Sequence, residues 1–392
     1  MKTIAIIPAR GGSKRIERKN IRPFAGVPVI AYSIRAALDS GCFDEVMVST
    51  DDAEIARVAR KYGANVPFMR SSRTADDYAT TADVIREVLD CYRENGKNFD
   101  ILACIYATAP FVTASRIAEA WRMIATGRAS AAFTCVEYSY PVQRSLEITG
   151  SGHVKMKFPE FANARSQDLP KSYHDAGQFY FSTVKAFEES GSLWGPDTLP
   201  IILPETEVQD LDTITDWELA ELKYSRLGFP REFTADGYRF VAYPIIDEAT
   251  SERILEGRNR PDVRANMVNT GEISPENHRR FVNSLLTRRD KQYYAVFAPD
   301  GMLIGSVNFE WTGPESMERG IWLFLEARNL GHSRRLLKGA YGYLSQQKWV
   351  KYFETRVRKE NRASLSLENS LGALRTREDS TYVFFSCPLS ES

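Results

Sequence analysis

Two stretches far apart in the chain carry the residue types that phosphate chemistry needs. Ala9-Arg10-Gly11-Gly12-Ser13-Lys14-Arg15, followed by Arg18-Lys19-Asn20, sets two glycines among five cations. Glycine lets backbone N–H groups approach an anion, and spaced cations such as Arg10, Lys14 and Lys19 reach more than one phosphate. A solvated basic turn is the plainer explanation of a short Gly-rich match taken alone. The second stretch, Val208-Gln209-Asp210-Leu211-Asp212-Thr213, places Asp210 and Asp212 two apart, so in an extended segment both carboxylates point the same way. Such a pair makes a hard oxygen site suited to magnesium; a helix cap from Asp212 or Thr213 is the plainer explanation. A polyphosphate loop together with a carboxylate pair describes metal-assisted transfer at phosphorus.

These residues need elements to hold them. Thr3–Pro8 is a short β-branched apolar run of the kind buried on both faces, so the basic loop leaves the carboxyl end of a buried strand, where open α/β sheets bind ligands. Val29–Ser40 has helical apolar spacing and Gly41 closes it; Glu45–Thr50 reads as a strand, Asp52–Tyr62 as a helix and Asn65–Met69 as a short strand. Ala82–Tyr92 is a helix that Asp77 or Thr80 caps, Asp100–Tyr106 a central strand, Ala131–Tyr138 a further strand and Ile214–Leu227 a helix. Alternating strands and helices predict an α/β fold with a mostly parallel sheet. Tyr140–Ser172 is too long for a routine loop, which marks it as functional or interfacial.

Gly228-Phe229-Pro230 breaks this alternation, so the predicted domains are 1–228 and 229–392. The second holds strands at Tyr238–Ile245, Tyr293–Ala298, Leu303–Phe309, Ile321–Leu325, Tyr352–Val357 and Tyr382–Cys387. Its helices are Asp247–Arg258, one starting at Ser274-Pro275, one opened by Arg328–Arg335 and Ala363–Leu371.

Composition agrees with a soluble two-domain protein: 392 residues exceed one ordinary core. Lys+Arg and Asp+Glu both total 51, which removes the whole-chain argument for nucleic acid. There is no apolar stretch for a membrane and no signal-peptide pattern. Five scattered cysteines without C-x-x-C spacing read as free thiols, and a cytoplasmic protein is expected. His174 lacks a second histidine nearby, which argues against a metal ligand.

The opening I-I-P-A-R-G-G-S-K-R-I-x-R-K-N-I resembles that of the CMP-sialic acid synthetases, the acylneuraminate cytidylyltransferases. The resemblance implies a nucleotide-diphospho-sugar transferase-like (Rossmann-like) fold in which CTP is held by Arg10, Ser13, Lys14, Lys19, Asn20 and Arg70. Arg10, Lys19 and Asp212 would then be catalytic. D-L-D-T-x-x-D-W-x-x-A-E resembles the family's metal signature and implies magnesium at Asp210 and Asp212. The sugar residues implied are Tyr106, Gln143, Arg165, Gln167, His174 and Gln178. Tyr106 stands where sialate synthetases commonly have glutamine, and Y-H-D-A-G-Q-F-Y looks like the pseudaminic acid enzymes. The resemblance thus implies transfer of CMP from CTP to a nonulosonic acid, pseudaminic acid in this reading, with release of pyrophosphate, by a homodimer joined through the 140–172 region. The rival readings are a cytidylyltransferase for another ulosonic acid, such as legionaminic acid, and a catalytically silent sugar-nucleotide sensor.

The second module's element order resembles the GNAT acetyltransferase fold. R-N-x-x-x-V-R-x-x-M with I-S-x-E-x-H looks like the N-acetyltransferase of the pseudaminic acid pathway. This implies acetyl-CoA at Arg328, Gly331, Ser333 and Asn361, with a UDP-linked amino sugar as acceptor. Three positions depart from that pattern: Arg335 replaces a glycine, Gly372-Ala373 replaces G-F, and Glu368 occupies the position of the proton-donating tyrosine. An exposed glutamate, with a pKa of about 4.3, cannot donate a proton at neutral pH, although burial raises such a value. Weak or altered acetyl transfer is expected.

Overall fold

The computed structural model describes residues 1–13, 15–76, 78–313, 315–347 and 350–388. The chain divides into two compact units, Met1–Tyr224 and Ser225–Ser392.

The first unit is built on a six-stranded sheet. Its strands are β1 (Thr3–Pro8), β2 (Glu45–Ser49), β3 (Ile101–Ile105), β4 (Ala131–Glu137), β5 (Tyr173–Thr183) and β6 (Thr198–Leu203). They lie in the order β6-β4-β5-β3-β1-β2. β1 pairs in parallel with β2 and β3, and β6 with β4, whereas β5 runs antiparallel between β3 and β4. The sheet is mostly parallel, as expected, with one reversed strand that local pattern missed: the Y-H-D-A-G-Q-F-Y wording does not alternate cleanly in hydrophobicity. Successive side chains of β1 serve opposite faces. Ala5 and Ile7 pack with α1 (Ile30–Ser40), α2 (Ala53–Lys61) and α4 (Ala114–Ala125). Ile4 and Ile6 pack against Ile85, Val88 and Leu89 of α3 (Thr81–Glu94).

The expected strand at Asn65–Met69 is absent. Asn65 makes a single bridge to Met47, and Pro67, lacking an N–H, cannot extend the ladder. Within 140–172 the chain forms a small hairpin, Leu146–Ile148 against Val154–Met156. α5 spans Ile214–Leu227, as expected.

The second unit is an eight-stranded sheet, β7 (Glu232–Ala235), β8 (Tyr238–Ala242), β9 (Lys291–Phe297), β10 (Leu303–Trp311), β11 (Ser316–Leu323), β12 (Tyr352–Arg358), β13 (Leu374–Glu378) and β14 (Tyr382–Pro388), ordered β7-β8-β9-β10-β11-β12-β14-β13. β7 and β13 escaped the sequence reading. The strand expected over Tyr238–Ile245 stops at Ala242, because Pro244 turns the chain into a short 3-10 helix. The helices are α6 (Glu248–Asn259), α7 (Pro275–Ser284, capped by Ser274), α8 (His332–Gln347) and α9 (Arg362–Leu371). β11 and β12 pair in parallel only from Ser316–Glu318 to Tyr352–Glu354 and then part.

Among the described residues no helix is long and apolar enough to cross a membrane. All five cysteines are free thiols.

Candidate active site

The basic loop is held down by the end of β2. The Ala9 N–H donates to Ser49 O at 2.9 Å, and the Gly11 N–H donates to Asp51 Oδ1 at 2.8 Å. A Cβ at Gly11 would stand 2.9 Å from Asp52 Oδ2, so only glycine lets the loop pass there, whereas one at Gly12 meets nothing within 4 Å. Asp52 caps α2 by accepting from the N–H groups of Glu54 and Ile55, and it pairs with Arg18 at 2.6 Å. The Arg18 hydrogen bond, against opposing burial, lowers the Asp52 carboxyl to about 2. Asn20 donates to Arg10 O at 2.9 Å, which ties the two ends of the loop together.

A cavity of about 350 Å³ opens beside this loop at the carboxyl ends of β1 and β3. It brings together Arg10, Ser13, Lys19, Asn20, Arg70 and Tyr106. Arg70 is buried and donates from Nε to Ser49 Oγ at 3.1 Å and from Nη2 to Ser49 O at 2.5 Å; burial lowers its pKa. Arg10 Nη1 donates to Asp76 O at 3.1 Å. The segment from Ser71 to Thr74 is anchored by the Glu87 carboxylate, which accepts from the Ser71 N–H at 2.8 Å and from both hydroxyls. Lys14 and Asp77 lie outside the described residues.

Asp212 faces this loop. Leu211 is fully buried, while Asp210 is exposed and Asp212 half-buried on either side of it, as an extended segment requires. Asp212 accepts from Arg15 and, at 3.3 Å, from Lys19. It does not cap α5: Thr213 and Asp216 do so reciprocally, at 3.1 Å and 2.8 Å. Likewise Thr80, with Asp83, caps α3. No group of three or more His, Cys, Asp or Glu able to hold a metal occurs among the described residues. Two carboxylates nevertheless fit magnesium, whose remaining positions go to water and substrate phosphate oxygens.

The other expected sugar residues do not line this cavity. Gln178 is buried in β5 and its amide donates to Glu207 O at 2.6 Å, so it is committed to the backbone. Gln143 donates to Pro170 O at 3.3 Å, Arg165 and Gln167 are exposed around the turn Ser166–Asp168, and the exposed His174 has its ring 4.7 Å from that of Tyr138. Of that set, only Tyr106 borders the loop. Sequence reasoning missed Arg15 as the partner of Asp212, and Asp51 and Asp52 as the anchor of the loop. The S-T-D-D end of a buried strand was the available signal.

In the second unit, Arg328 pairs with Asp262 at 2.7 Å, Gly331 adopts φ +78°, Ser333 sits in the first turn of α8, and Asn361 accepts from the Ser364 N–H at 3.1 Å as the cap of α9. Glu368 is buried, not exposed, and its carboxylate is held by Arg319, whose Nε donates to the Tyr341 hydroxyl at 2.7 Å. Burial opposes the Arg319 charge, but Tyr341 and Glu368 outweigh it and raise its pKa. Glu368 is thus tied into a buried ion pair in this unit.

A mostly parallel α/β sheet with a glycine-and-cation loop at the end of its first strand, facing Asp212, is the arrangement of a nucleotidyltransferase. The chain belongs to the cytidylyltransferase family: residues 4–182 match the family described as "Cytidylyltransferase". It is 43% identical over 224 residues, 57% of this chain and 97% of the other, to the pseudaminic acid cytidylyltransferase of Campylobacter jejuni. It is 36% identical over 226 residues, 56% of this chain and 95% of the other, to the CMP-N,N'-diacetyllegionaminic acid synthase of Legionella pneumophila. Residues 243–373 match the "Acetyltransferase (GNAT) domain" family. A solved Campylobacter jejuni N-acetyltransferase, PseH with acetyl coenzyme A, aligns with 39% of this chain and 99% of its own at 20% identity and a TM-score of 0.33.

Proposed function

We propose that the first unit transfers CMP from CTP to a nonulosonic acid, pseudaminic acid, and releases pyrophosphate. The convergence of Arg10, Ser13, Lys19, Asn20 and Arg70 on one cavity next to Asp212 carries this reading. Arg10 and Lys19, with Lys14, bind the triphosphate and balance charge on the departing pyrophosphate. Arg70, fixed by Ser49, presents a cation that does not need to be ordered on binding. Tyr106 borders the space for the sugar. Arg15 and Lys19 hold Asp212 in place and exchange that carboxylate for phosphate when CTP enters. Asp210 and Asp212 would hold magnesium, which when bound clamps phosphate oxygens and acidifies the attacking hydroxyl. The identity to the Campylobacter enzyme supports pseudaminic acid over legionaminic acid as the substrate.

The protein works as a cytoplasmic homodimer in this reading, supported by free thiols and by the exposed apolar side chains Leu146, Ile148 and Val154 of the hairpin. The second unit takes acetyl-CoA as a GNAT domain and transfers its acetyl group slowly, because Glu368 is paired with Arg319.

The test is pyrophosphate release from CTP and magnesium with pseudaminic, N,N'-diacetyllegionaminic and N-acetylneuraminic acids in parallel. Pseudaminic acid should give the highest kcat/KM; a preference for another acid reassigns the substrate, and binding of CTP without any release makes the protein a sensor.

A further inference from the structure

Glu87 sits where helix packing alone would take an apolar side chain. It is buried in α3 alongside Val84, Ile85, Val88 and Leu89 and is 8% exposed. A buried carboxylate is costly unless donors surround it. Its three hydrogen bonds all come from one short segment: the Ser71 N–H at 2.8 Å, the Ser71 hydroxyl at 3.0 Å and the Thr74 hydroxyl. Burial pushes the Glu87 carboxyl up, but the bonds from Thr74 and Ser71 outweigh it and hold the group below its ordinary value, so it is ionised at neutral pH. The segment it holds is a helical turn of four residues, Ser72–Ala75, and Ser71 does not cap that turn because its hydroxyl goes to Glu87. A helical turn this short does not persist without a tertiary anchor. It also forms one wall of the cavity. Arg70 stands directly before it, Thr74 and Asp76 line the cavity, and the Asp76 carbonyl accepts from Arg10 of the basic loop.

We propose that Glu87 is a positioning residue for the nucleotide: by holding Ser71 and Thr74 it keeps the 70–76 wall of the cavity formed before CTP arrives. The role rests on the cytidylyl-transfer reading of this cavity. Glu87 acts through the turn and is not among the residues that line the cavity. Its hydrogen bonds, rather than its charge, do the positioning, because each of them ends on a group of the turn. Without them the turn samples other arrangements, and CTP binds only the fraction of molecules in which the wall is in place. The chemical step, which follows once CTP is seated, is left as it was.

The test measures KM for CTP and kcat for pyrophosphate release, with magnesium and pseudaminic acid, on the full chain and on Glu87→Ala, Glu87→Gln, Thr74→Val and the double variant Glu87→Ala/Thr74→Val. Glu87→Ala should raise KM for CTP at least about tenfold with kcat within about threefold, since the competent fraction falls and the step after binding does not change. A role in stability alone would lower the melting temperature and leave KM where it was. Glutamine keeps an acceptor for the Ser71 N–H, and its amide donates to the two hydroxyls, which rotate to accept. Glu87→Gln should therefore stay within about threefold of the starting KM. Thr74→Val removes one bond without touching α3 and should raise KM about fivefold, the size of one hydrogen bond. The double variant should go no further than Glu87→Ala, because the two changes remove a shared bond. An unchanged KM in folded Glu87→Ala overturns the role of Glu87 alone, as do a Glu87→Gln variant no better than Glu87→Ala and losses that multiply in the double variant. Where Glu87→Ala does not fold, an unchanged KM in Thr74→Val overturns it. If the unaltered protein neither binds CTP in a titration nor releases pyrophosphate, the cytidylyl-transfer reading falls and takes this role with it.

Discussion

Arg319 and Glu368 form a buried ion pair in the second unit: Arg319 Nη2 lies 2.5 and 2.6 Å from the two carboxylate oxygens, and the residues are 4% and 1% exposed. β11 and α9 are joined through it, and the Arg319 carbonyl accepts from Thr355 Oγ1 at 3.1 Å on β12. Removing one partner of such a pair strands the other's charge. Glu368→Gln should therefore destabilise the second unit by about 3–5 kcal/mol, read as a lower urea midpoint. Glu368→Tyr should be no less damaging and should not create acetyl transfer, contrary to what the sequence pattern alone suggests. A faster release of coenzyme A from acetyl-CoA by that variant would restore the acid role to this position.

Asp212→Asn should lower pyrophosphate release on the order of 10²-fold or more, as for loss of a charge-stabilising group, while the fold survives. Asp212 sits at the surface of the loop contact with Arg15 and Lys19, so thermal unfolding should shift little. Unchanged activity at limiting magnesium would remove the metal role.

The two adjacent glycines should respond differently. Gly11→Ala pushes a methyl onto the Asp52 side chain, which cannot swing away without breaking the α2 cap and the Arg18 pair. CTP affinity should fall at least about tenfold, since the cost is comparable to a lost cap. Gly12→Ala meets open space and should bind CTP as before. Equal effects in titrations of both variants would show that the loop is not pinned at Gly11.

Asp52, lowered to about 2 by Arg18, makes stability pH-dependent in the acid range. Its folded pKa lies below its unfolded one, so the contribution is fully present above about pH 4 and disappears as pH falls through about 2. With the partial exposure of both partners discounted, it amounts to about 1–2 kcal/mol. Urea unfolding of Asp52→Asn should differ from the unaltered protein by this amount at pH 6 and converge with it near pH 2. A difference that does not change with pH would assign the loss to the helix cap alone.

A chain ending at Leu227 should fold and retain CTP-dependent activity, because the helices and strands on either side of Gly228-Phe229-Pro230 make separate cores. Aggregation of that fragment would show that the two units depend on each other.

By itself the sequence determined what is local. The buried β1 run, the loop with its paired glycines, the α3 and α5 helices, and the α7 helix with its Ser274 cap all follow from patterns a few residues long. The family resemblance likewise rests on contiguous words, and for that reason it was readable. Tertiary structure decided what those words face. Whether Asp212 capped a helix or met Arg15 and Lys19 depended on a loop nearly two hundred residues away in the chain. Gln178 read as a sugar contact from its motif, and only the fold brings the Glu207 carbonyl within reach of its amide; Glu368 read as a departure at a tyrosine position with its burial open, and only the fold buries it beside Arg319. Asp175 and Tyr180 meet only because a bulge shortens the distance that a regular strand would keep between them. Local propensity is summed over neighbours along the chain, whereas charge pairing and burial act between neighbours in space, and only the fold makes those the same residues.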